Sequence, residues 1–566
     1  MVRRGVVLLL VVLTAAGCTT APAAGPARDA GSSASRGPAD PVPGARRGGT
    51  LVTVQTMDFL HLDPQRQYVT NSNAVDQLIV RTLTMLKNDP NTGREVLVGD
   101  LATDAGTDVD HDGRTWRYTL KTGVRYEDGT AVTAADVAYG VARSFAPELS
   151  DGPQYVQRWL TGRTDPSTAY AGPYHGGRAV PPGVTVSGRT ITFHLASPHP
   201  DFPYAASLGT TAPLPRSRDH GAAAVDARPF STGPYKVASY DRGKRLKLVR
   251  NRYWDPATDA VRHDYFDSFV TEIGPDGAAQ TRRLVADRGT DRYAVSIDGV
   301  PPAMASTVLD DRALRSRQLT GFWPFVTYLN INTTRVTSRA VRQAVNYAVD
   351  KAAYVRATGG PARGEVATTL LSPTVLGYRR YDAYPTPGGR GDPAKARQLL
   401  GDARPALRYA YPDTAAGRAG ARAVIASLRR AGFRITPAPL DPSDYYARIS
   451  RPDNPYDLYP GSWGADWPTG STVLPPLFSG TASTDGNSWT YLDERAVDDR
   501  IDAISAEPTA RAAGDWADLD RDIMRQYAPC VPLAYVKTLS LTGSRVHGVF
   551  QSGTSGSPLF YDAWLG

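Results

Sequence analysis

Alternating apolar and polar positions predict several short strands in the body of the chain, from residue 48 onward. Residues 51–56 alternate in this way, as expected for a half-buried strand. Three pairs of such segments flank short turn sequences that contain Gly, and each pair therefore predicts a β-hairpin. The paired segments are 115–120 with 124–126, 184–186 with 190–195, and 235–240 with 246–250.

Apolar residues spaced three and four positions apart predict helices between these strands. Thr133 and Asp136 form a capping sequence before one such helix, and Ser338 is expected to cap another over 339–355. Further helices are predicted over 393–400, 422–430 and 494–506, and from Thr509, as the cap, to a point before Pro529. This mixture indicates an α/β fold. We find no internal repeat of about 20–50 residues, which disfavours a solenoid or propeller.

The N-terminus predicts export from the cytoplasm. Arg3 and Arg4 precede an apolar run over residues 6–13 that is shorter than the about 20 residues needed to cross a bilayer. Small residues follow this run. We therefore interpret residues 1–17 as a signal peptide.

A membrane anchor is predicted directly after the signal peptide. Ala15-Ala16-Gly17-Cys18 resembles the lipobox of bacterial lipoproteins, in which the cysteine is acylated and becomes the first residue of the mature chain. Plain secretion with an incidental Cys18 is the alternative. Residues 18–47 form a predicted flexible linker, because Val42 is their only bulky apolar residue and too little surface can be buried.

The composition of the chain argues against nucleic-acid binding and against a metal or other cofactor. The 64 basic and 56 acidic residues are interspersed along all 566 positions, which is typical of a solvated surface and not of a nucleic-acid-binding face. Cys18 and Cys530 are the only cysteines, and the eight histidines lack metal-ligand spacing, so neither a metal nor another cofactor is predicted. Residues 108–113 match half of a calcium-binding loop, but Thr119 stands where a carboxylate is required.

Seven segments of the chain, taken in order, carry a resemblance to a known family. They are 48–51, 112–130, 133–137, 231–237, 250–254, 328–332 and 341–351. The segment from Asp112 reads DGRTWRYTLKTGVRYEDGT, and a later pair reads STGPYKV and RNRYW. Together they resemble the solute-binding proteins of peptide-importing ABC transporters, a family of oligopeptide and dipeptide binders with nickel-binding relatives. The resemblance extends over about residues 48–548.

The resemblance implies an α/β, two-lobed periplasmic-binding-protein-like fold, with a ligand cleft between the lobes and a two-strand hinge. Lobe I is expected over 48–297 and lobe II over 298–534. Residues 535–566 are expected to return to lobe I. The chain would then cross between the lobes near 297–299 and near 532–535.

The resemblance also implies a binding site in the segment Trp463-Gly464-Ala465-Asp466-Trp467. Asp466 stands where peptide-binding relatives carry an aspartate that pairs with the α-ammonium group of the ligand. Trp463 and Trp467 are expected to wall the pocket, with Ala465 between them, although either indole could instead belong to a core. Trp323 is a further cleft candidate.

One position departs from the family pattern. Some relatives carry a basic residue for the carboxyl end of the ligand six positions before the aspartate, where this chain has Pro460. Recognition of the carboxyl end is therefore expected to differ.

The expected function is capture of di- or oligopeptides by a monomeric lipoprotein on the outer face of the cytoplasmic membrane. The partners would be the peptide, the permease subunits of an ABC importer, and the membrane through the lipid anchor at Cys18, with no nucleic acid. No enzymatic activity is expected. The alternatives are the same scaffold binding a nickel chelate, an oligosaccharide or another small molecule, and an exported hydrolase, for which no pair of carboxylates stands out.

Overall fold

A computed structural model describes residues 34–89, 92–480 and 488–566. Within these residues the chain forms two α/β lobes. Lobe I contains a five-stranded and a four-stranded sheet, and lobe II contains a six-stranded sheet. The predicted α/β class and two-lobed architecture are therefore confirmed.

The five-stranded sheet of lobe I is mixed. Thr50–Gln55 lies parallel to Ser268–Ile273 and Ala294–Ser296, and the hairpin Tyr235–Asp241 with Arg245–Arg250 completes the sheet. The hairpin was predicted from its alternation. Apolar side chains from the end of the chain, including Phe560 and Leu565, pack in the same core as Leu51.

The four-stranded sheet differs from the prediction in one pairing. Thr115–Thr119 does not form a hairpin with residues 124–126; it pairs with Thr190–His194 and with Thr107–Asp108. The pairing with the distant strand Thr190–His194 forms in place of the local hairpin because it buries Trp116 and Tyr118 among the core side chains of that strand. The predicted hairpin Val184–Ser187 with Thr190–His194 is confirmed.

The sheet of lobe II is organised around two long antiparallel strands, Gln318–Ile331 and Cys530–Leu541. Their ends reach lobe I, where Leu539 and Leu541 pack against Val52. These strands therefore join the lobes. In sheet order the strands are Gly364–Val366, Cys530–Leu541, Gln318–Ile331, Leu458–Gly464, Ala406–Pro412 and Arg434–Leu440.

The helices follow the predicted capping signals in most places. Thr133 and Asp136 form a complete capping box on Ala134–Arg143. The helix predicted over 339–355 is two helices, Arg339–Ala348 and Lys351–Ala357, because the Asp350 side chain accepts a hydrogen bond from the backbone of Ala353 and starts a new helix. The other predicted helices are present as Pro393–Leu400, Ala415–Arg430, Arg495–Ser505 and Thr509–Tyr527.

No helix among the described residues is long and apolar enough to cross a membrane.

Shorter elements complete the two lobes. The additional α-helices are Thr70–Ile79, Tyr155–Thr161, Phe202–Ala205, Ala222–Ala227, Gly277–Ala286, Pro302–Asp310, Tyr445–Ile449 and Leu474–Phe478. The additional strands are Thr84–Asp89 with Arg94–Gly99, Val546–His547 with Trp564–Leu565, and Phe550–Gln551 with Pro558–Leu559.

The end of the expected linker is docked on lobe I, which differs from the prediction of a flexible segment up to residue 47. Ser35 accepts a hydrogen bond from the backbone of Gly99 at 2.8 Å, and the backbone of Val42 donates to the Tyr265 hydroxyl at 3.2 Å. Hydrogen bonds thus hold a segment whose only bulky apolar residue is Val42. The expected signal peptide and Cys18 lie outside the described residues.

Candidate ligand-binding site between the lobes

A cavity of about 480 Å³ lies where the two lobes meet. Volumes of this order are typical of sites for small ligands, which range over about 300–1,000 Å³. The walls are rich in aromatic side chains from both lobes. The aromatic residues are Tyr68, Tyr155 and Trp159 from lobe I with Trp463, Trp467 and Trp516 from lobe II.

The short helix Tyr155–Thr161 supplies much of the wall in lobe I. Tyr155, Arg158 and Trp159 are spaced three and four positions apart, so they share one face and line the cavity. Val156 and Leu160 point into the core of the lobe instead. This packing holds the helix in place.

Asp466 lies at the contact between the lobes and is partly buried. The hydroxyl of Tyr155 donates a hydrogen bond to its carboxylate, and the Tyr68 hydroxyl interacts with the same group. Burial raises the pKa of Asp466, whereas these two hydroxyls lower it. No cation among the described residues offsets the charge of this carboxylate. The cavity lining includes its two partners, Tyr68 and Tyr155, but not Asp466 itself.

Trp463 and Trp467 both line the cavity, and each also has a structural role. The indole of Trp463 donates to the carbonyl of Thr472 at 2.7 Å. Trp467 is buried against lobe I, with its ring centroid 4.6 Å from that of Tyr155 and 5.9 Å from that of Trp159. Each of these tryptophans therefore lies in the cavity wall and also packs against a core.

Two residues expected at the site lie away from the cavity wall. Ala465 is buried in the core of lobe II. Trp323 is partly buried beside Gly556, on the long strand of lobe II. Neither side chain contributes to the lining of the cavity described above.

The structure adds Asp201, for which the sequence carries no signal. Its carboxylate belongs to lobe I and accepts hydrogen bonds from four donors of lobe II. The indole of Trp467 donates at 3.1 Å and the hydroxyl of Thr469 at 2.8 Å to the same oxygen, to which Ser471 also donates. The hydroxyl of Thr509 donates to the other oxygen at 2.7 Å.

Thr509 therefore has a different role from the predicted helix cap. Pro508 occupies the cap position of the last helix, and no side chain caps its first turn. The Thr509 hydroxyl instead crosses to the other lobe. Tertiary contact overrides the local preference here, since the donor and acceptor lie 308 residues apart.

Two further side chains of the cavity wall, His199 and Arg158, contain ionisable nitrogen groups. His199 stacks on Trp159 with ring centroids 4.2 Å apart, and burial together with Arg114 lowers the pKa of His199 to about 4. The imidazole is therefore neutral near pH 7. Arg158 is exposed and contributes to the cavity lining.

Among the described residues, no group of three or more His, Cys, Asp or Glu side chains is arranged to hold a metal ion. Cys530 is buried, and burial raises the pKa of its thiol well above the usual range.

Comparison with solved structures agrees with this architecture. The structure of clavulanic acid biosynthesis oligopeptide binding protein 2 is 31% identical in sequence with a TM-score of 0.85, and the match covers 94% of this chain and 100% of that chain. The periplasmic binding protein DppA from Helicobacter pylori, solved in complex with the peptide STSA, is 19% identical with a TM-score of 0.69. That match covers 92% of this chain and 98% of that chain, and it shows the shared fold.

Comparison of the amino-acid sequence with known proteins also finds binding proteins. Glutathione-binding protein GsiB of Salmonella paratyphi A is 22% identical over 88% of this chain and 91% of that protein. Heme-binding protein A of Haemophilus influenzae is 25% identical, and the match covers about 60% of the length of each protein. The profile of the bacterial extracellular solute-binding proteins, family 5 (middle region), matches residues 96–485, which is more than half of the chain. The protein therefore belongs to family 5 of the bacterial extracellular solute-binding proteins.

Proposed function

We propose that this protein captures short peptides between its lobes and delivers them to the permease of an ABC importer. The observation that carries the proposal is Asp466, a carboxylate to which the described residues offer no cationic partner, at the contact between the lobes and beside an aromatic cavity. A ligand ammonium group would supply the missing charge. The oligopeptide-binding and glutathione-binding proteins among the relatives support a peptide as the ligand.

The proposed binding follows from electrostatics in a confined site. The Asp466 carboxylate would pair with the α-ammonium group, while the rings of Trp463 and Trp467 exclude water and so strengthen the pair. Either charge left unpaired in the closed site would cost several kcal/mol. Ligand contacts to both lobes would then favour the closed form, which the permease would recognise.

The proposed organisation keeps lobe I at residues 48–297, lobe II at 298–534 and the return to lobe I at 535–566, with the strand Cys530–Leu541 running across the last boundary from one lobe to the other. We also propose acylation of Cys18, which would hold a monomeric protein at the outer face of the cytoplasmic membrane. Since residues 34–47 dock on lobe I, the linker to the anchor would begin before residue 34.

Isothermal titration with di- to pentapeptides and their N-acetylated forms tests the amine anchor. Free peptides should bind and acetylated ones should bind much more weakly. Asp466→Asn should reduce the affinity by about 2–5 kcal/mol, because it removes one partner of a buried charge pair. Asp110→Asn, an exposed position on lobe I, is the matched control and should bind as the unmodified protein does.

Other outcomes would contradict the proposal. Equal binding of free and acetylated peptides would remove Asp466 as the amine anchor. Binding of only oligosaccharides or nickel chelates would favour the alternative cargo. Cleavage of a bound peptide, followed by mass spectrometry, would indicate a hydrolase.

A further inference from the structure

Arg158 is the one permanently charged cation among the residues that line the described cavity. Within the described ranges no carboxylate lies within 4 Å of its guanidinium group. The two acidic residues of the lining are already engaged. Asp201 accepts its four hydrogen bonds from lobe II, and Glu507 pairs with Arg511 at 3.3 Å.

The position of Arg158 relative to Asp466 is set by two tyrosines. Tyr155 contacts Asp466, and Arg158 follows it by three residues on the same helical face. The hydroxyl of Tyr68 interacts with Asp466 and also lies within the electrostatic influence of Arg158. A negative group from lobe II and a positive group from lobe I therefore both act on Tyr68.

We propose that Arg158 binds the terminal carboxylate of the ligand, so that the cavity selects short zwitterionic peptides that carry an apolar or aromatic side chain. This inference rests on the proposed function and names the ligand class and the carboxylate-binding residue. The planar guanidinium group can donate two parallel hydrogen bonds to one carboxylate. The basic residue missing at Pro460 would thus be replaced from the opposite lobe.

This arrangement couples the charge of the ligand to closure. The ammonium group would contact Asp466 on lobe II and the carboxylate would contact Arg158 on lobe I. A ligand with both charged ends favours the closed form by the sum of its contacts to the two lobes, whereas a ligand blocked at one end loses one of them. The tryptophans around the cavity provide the apolar surface for a side chain.

The volume sets the size of the ligand. A cavity of about 480 Å³ suits a small ligand, and an extended oligopeptide would have to project beyond it. The preferred ligands are therefore expected to be dipeptides and tripeptides.

The test is calorimetric titration with Ala-Phe and Ala-Ala-Phe, each as the free acid, the C-terminal amide and the N-acetyl acid. In the unmodified protein the amides should bind about tenfold more weakly than the acids, as expected for loss of a charge-assisted hydrogen bond. In Arg158→Gln the acid should lose about the same factor, and acid and amide should then bind alike. Arg163→Gln, an exposed arginine after the same helix, is the matched control and should retain the preference for the acid.

The outcomes separate this inference from the proposed function. If acids and amides bind equally to the unmodified protein while N-acetylation still abolishes binding, Arg158 is not the carboxylate site and the proposed function stands. If Arg158→Gln retains the preference for acids, the inference is likewise overturned. If no probe binds, both the inference and the proposed function fail. Circular dichroism of each variant establishes that the fold is intact.

Discussion

Replacement of Asp201 by alanine should open the two lobes in the absence of ligand. This carboxylate of lobe I accepts hydrogen bonds from Trp467, Thr469, Ser471 and Thr509 of lobe II, and the substitution removes all four at once. The donors lie near the cavity but differ from the residues proposed to hold the charged ends of a peptide. Closure can therefore be perturbed without altering those contacts.

The expected loss in the free energy of closure follows from the number of hydrogen bonds removed and from the water that replaces them when the lobes separate. A hydrogen bond to a charged group contributes about 1.5–3 kcal/mol, but these groups regain water when the lobes separate. Asp201 is only partly buried, which reduces the net contribution further. We expect a loss of about 3 kcal/mol in the free energy of closure, or roughly 100-fold in the ratio of closed to open molecules. Apparent ligand affinity should fall in proportion to the closed fraction that is lost.

The distance between the lobes is measured by single-molecule energy transfer between labels on lobe I and lobe II, with and without a binding peptide. Asp201→Ala should show the longer distance without ligand and should need more peptide to reach the shorter one. Trp467 emission should shift to longer wavelength, because its buried ring becomes hydrated when the lobes part. Asp110→Ala is the control on the same lobe.

Two results would refute this reasoning. If Asp201→Ala has the same distance distribution and the same peptide affinity as the unmodified protein, the four hydrogen bonds do not contribute to closure. If the variant loses affinity while its ligand-free distance is unchanged, Asp201 acts on the ligand and not on the lobes.

Two predictions concern pH. Burial raises the pKa of Asp520 to about 7 in the core of lobe II, so the folded state retains a proton that the unfolded state releases; the free energy of unfolding should fall by about 2 kcal/mol from pH 5 to pH 8 on this account, measured by urea unfolding. Asp520→Asn should lack this slope, and an equal slope in both proteins would contradict the assignment. Burial also raises the pKa of Asp466, so affinity for free-amine peptides should fall as calorimetric titrations move toward acid from about pH 6.5, where the α-ammonium group is already protonated, because the carboxyl group of Asp466 gains a proton and loses its charge. Asp466→Asn should be insensitive over this range, and a pH-dependent Asn variant would assign the effect to another group.

Local signals predicted many elements correctly, for identifiable reasons. The capping box of Thr133 and Asp136 satisfies backbone donors within one turn, so it needs no distant partner. The hairpin Tyr235–Asp241 with Arg245–Arg250 likewise depends on a short turn and on alternation. The pairing of Thr115–Thr119 could not be predicted in this way, since its partner lies about 75 residues away and the choice depends on the shared core.

The binding site, like the fold, could be predicted only in part from the sequence. The segment 463–467 pointed to Asp466 and the two tryptophans, and the structure places these residues at the contact between the lobes. Ala465 and Trp323, predicted with them, lie away from the cavity wall, because their positions depend on how the core of lobe II packs. Arg158 and Asp201 carry no motif and are indicated only by their three-dimensional surroundings.

By itself, the sequence determined the α/β class, the family and the segment that holds Asp466, because these depend on periodicity, capping and short ordered motifs. The tertiary structure decided which side chains face one another across the lobes. Asp201 meets donors more than 260 residues away, and Tyr155 meets Asp466 across 311 residues. Such contacts form only when two separately packed cores come together, and no local pattern of residues encodes them.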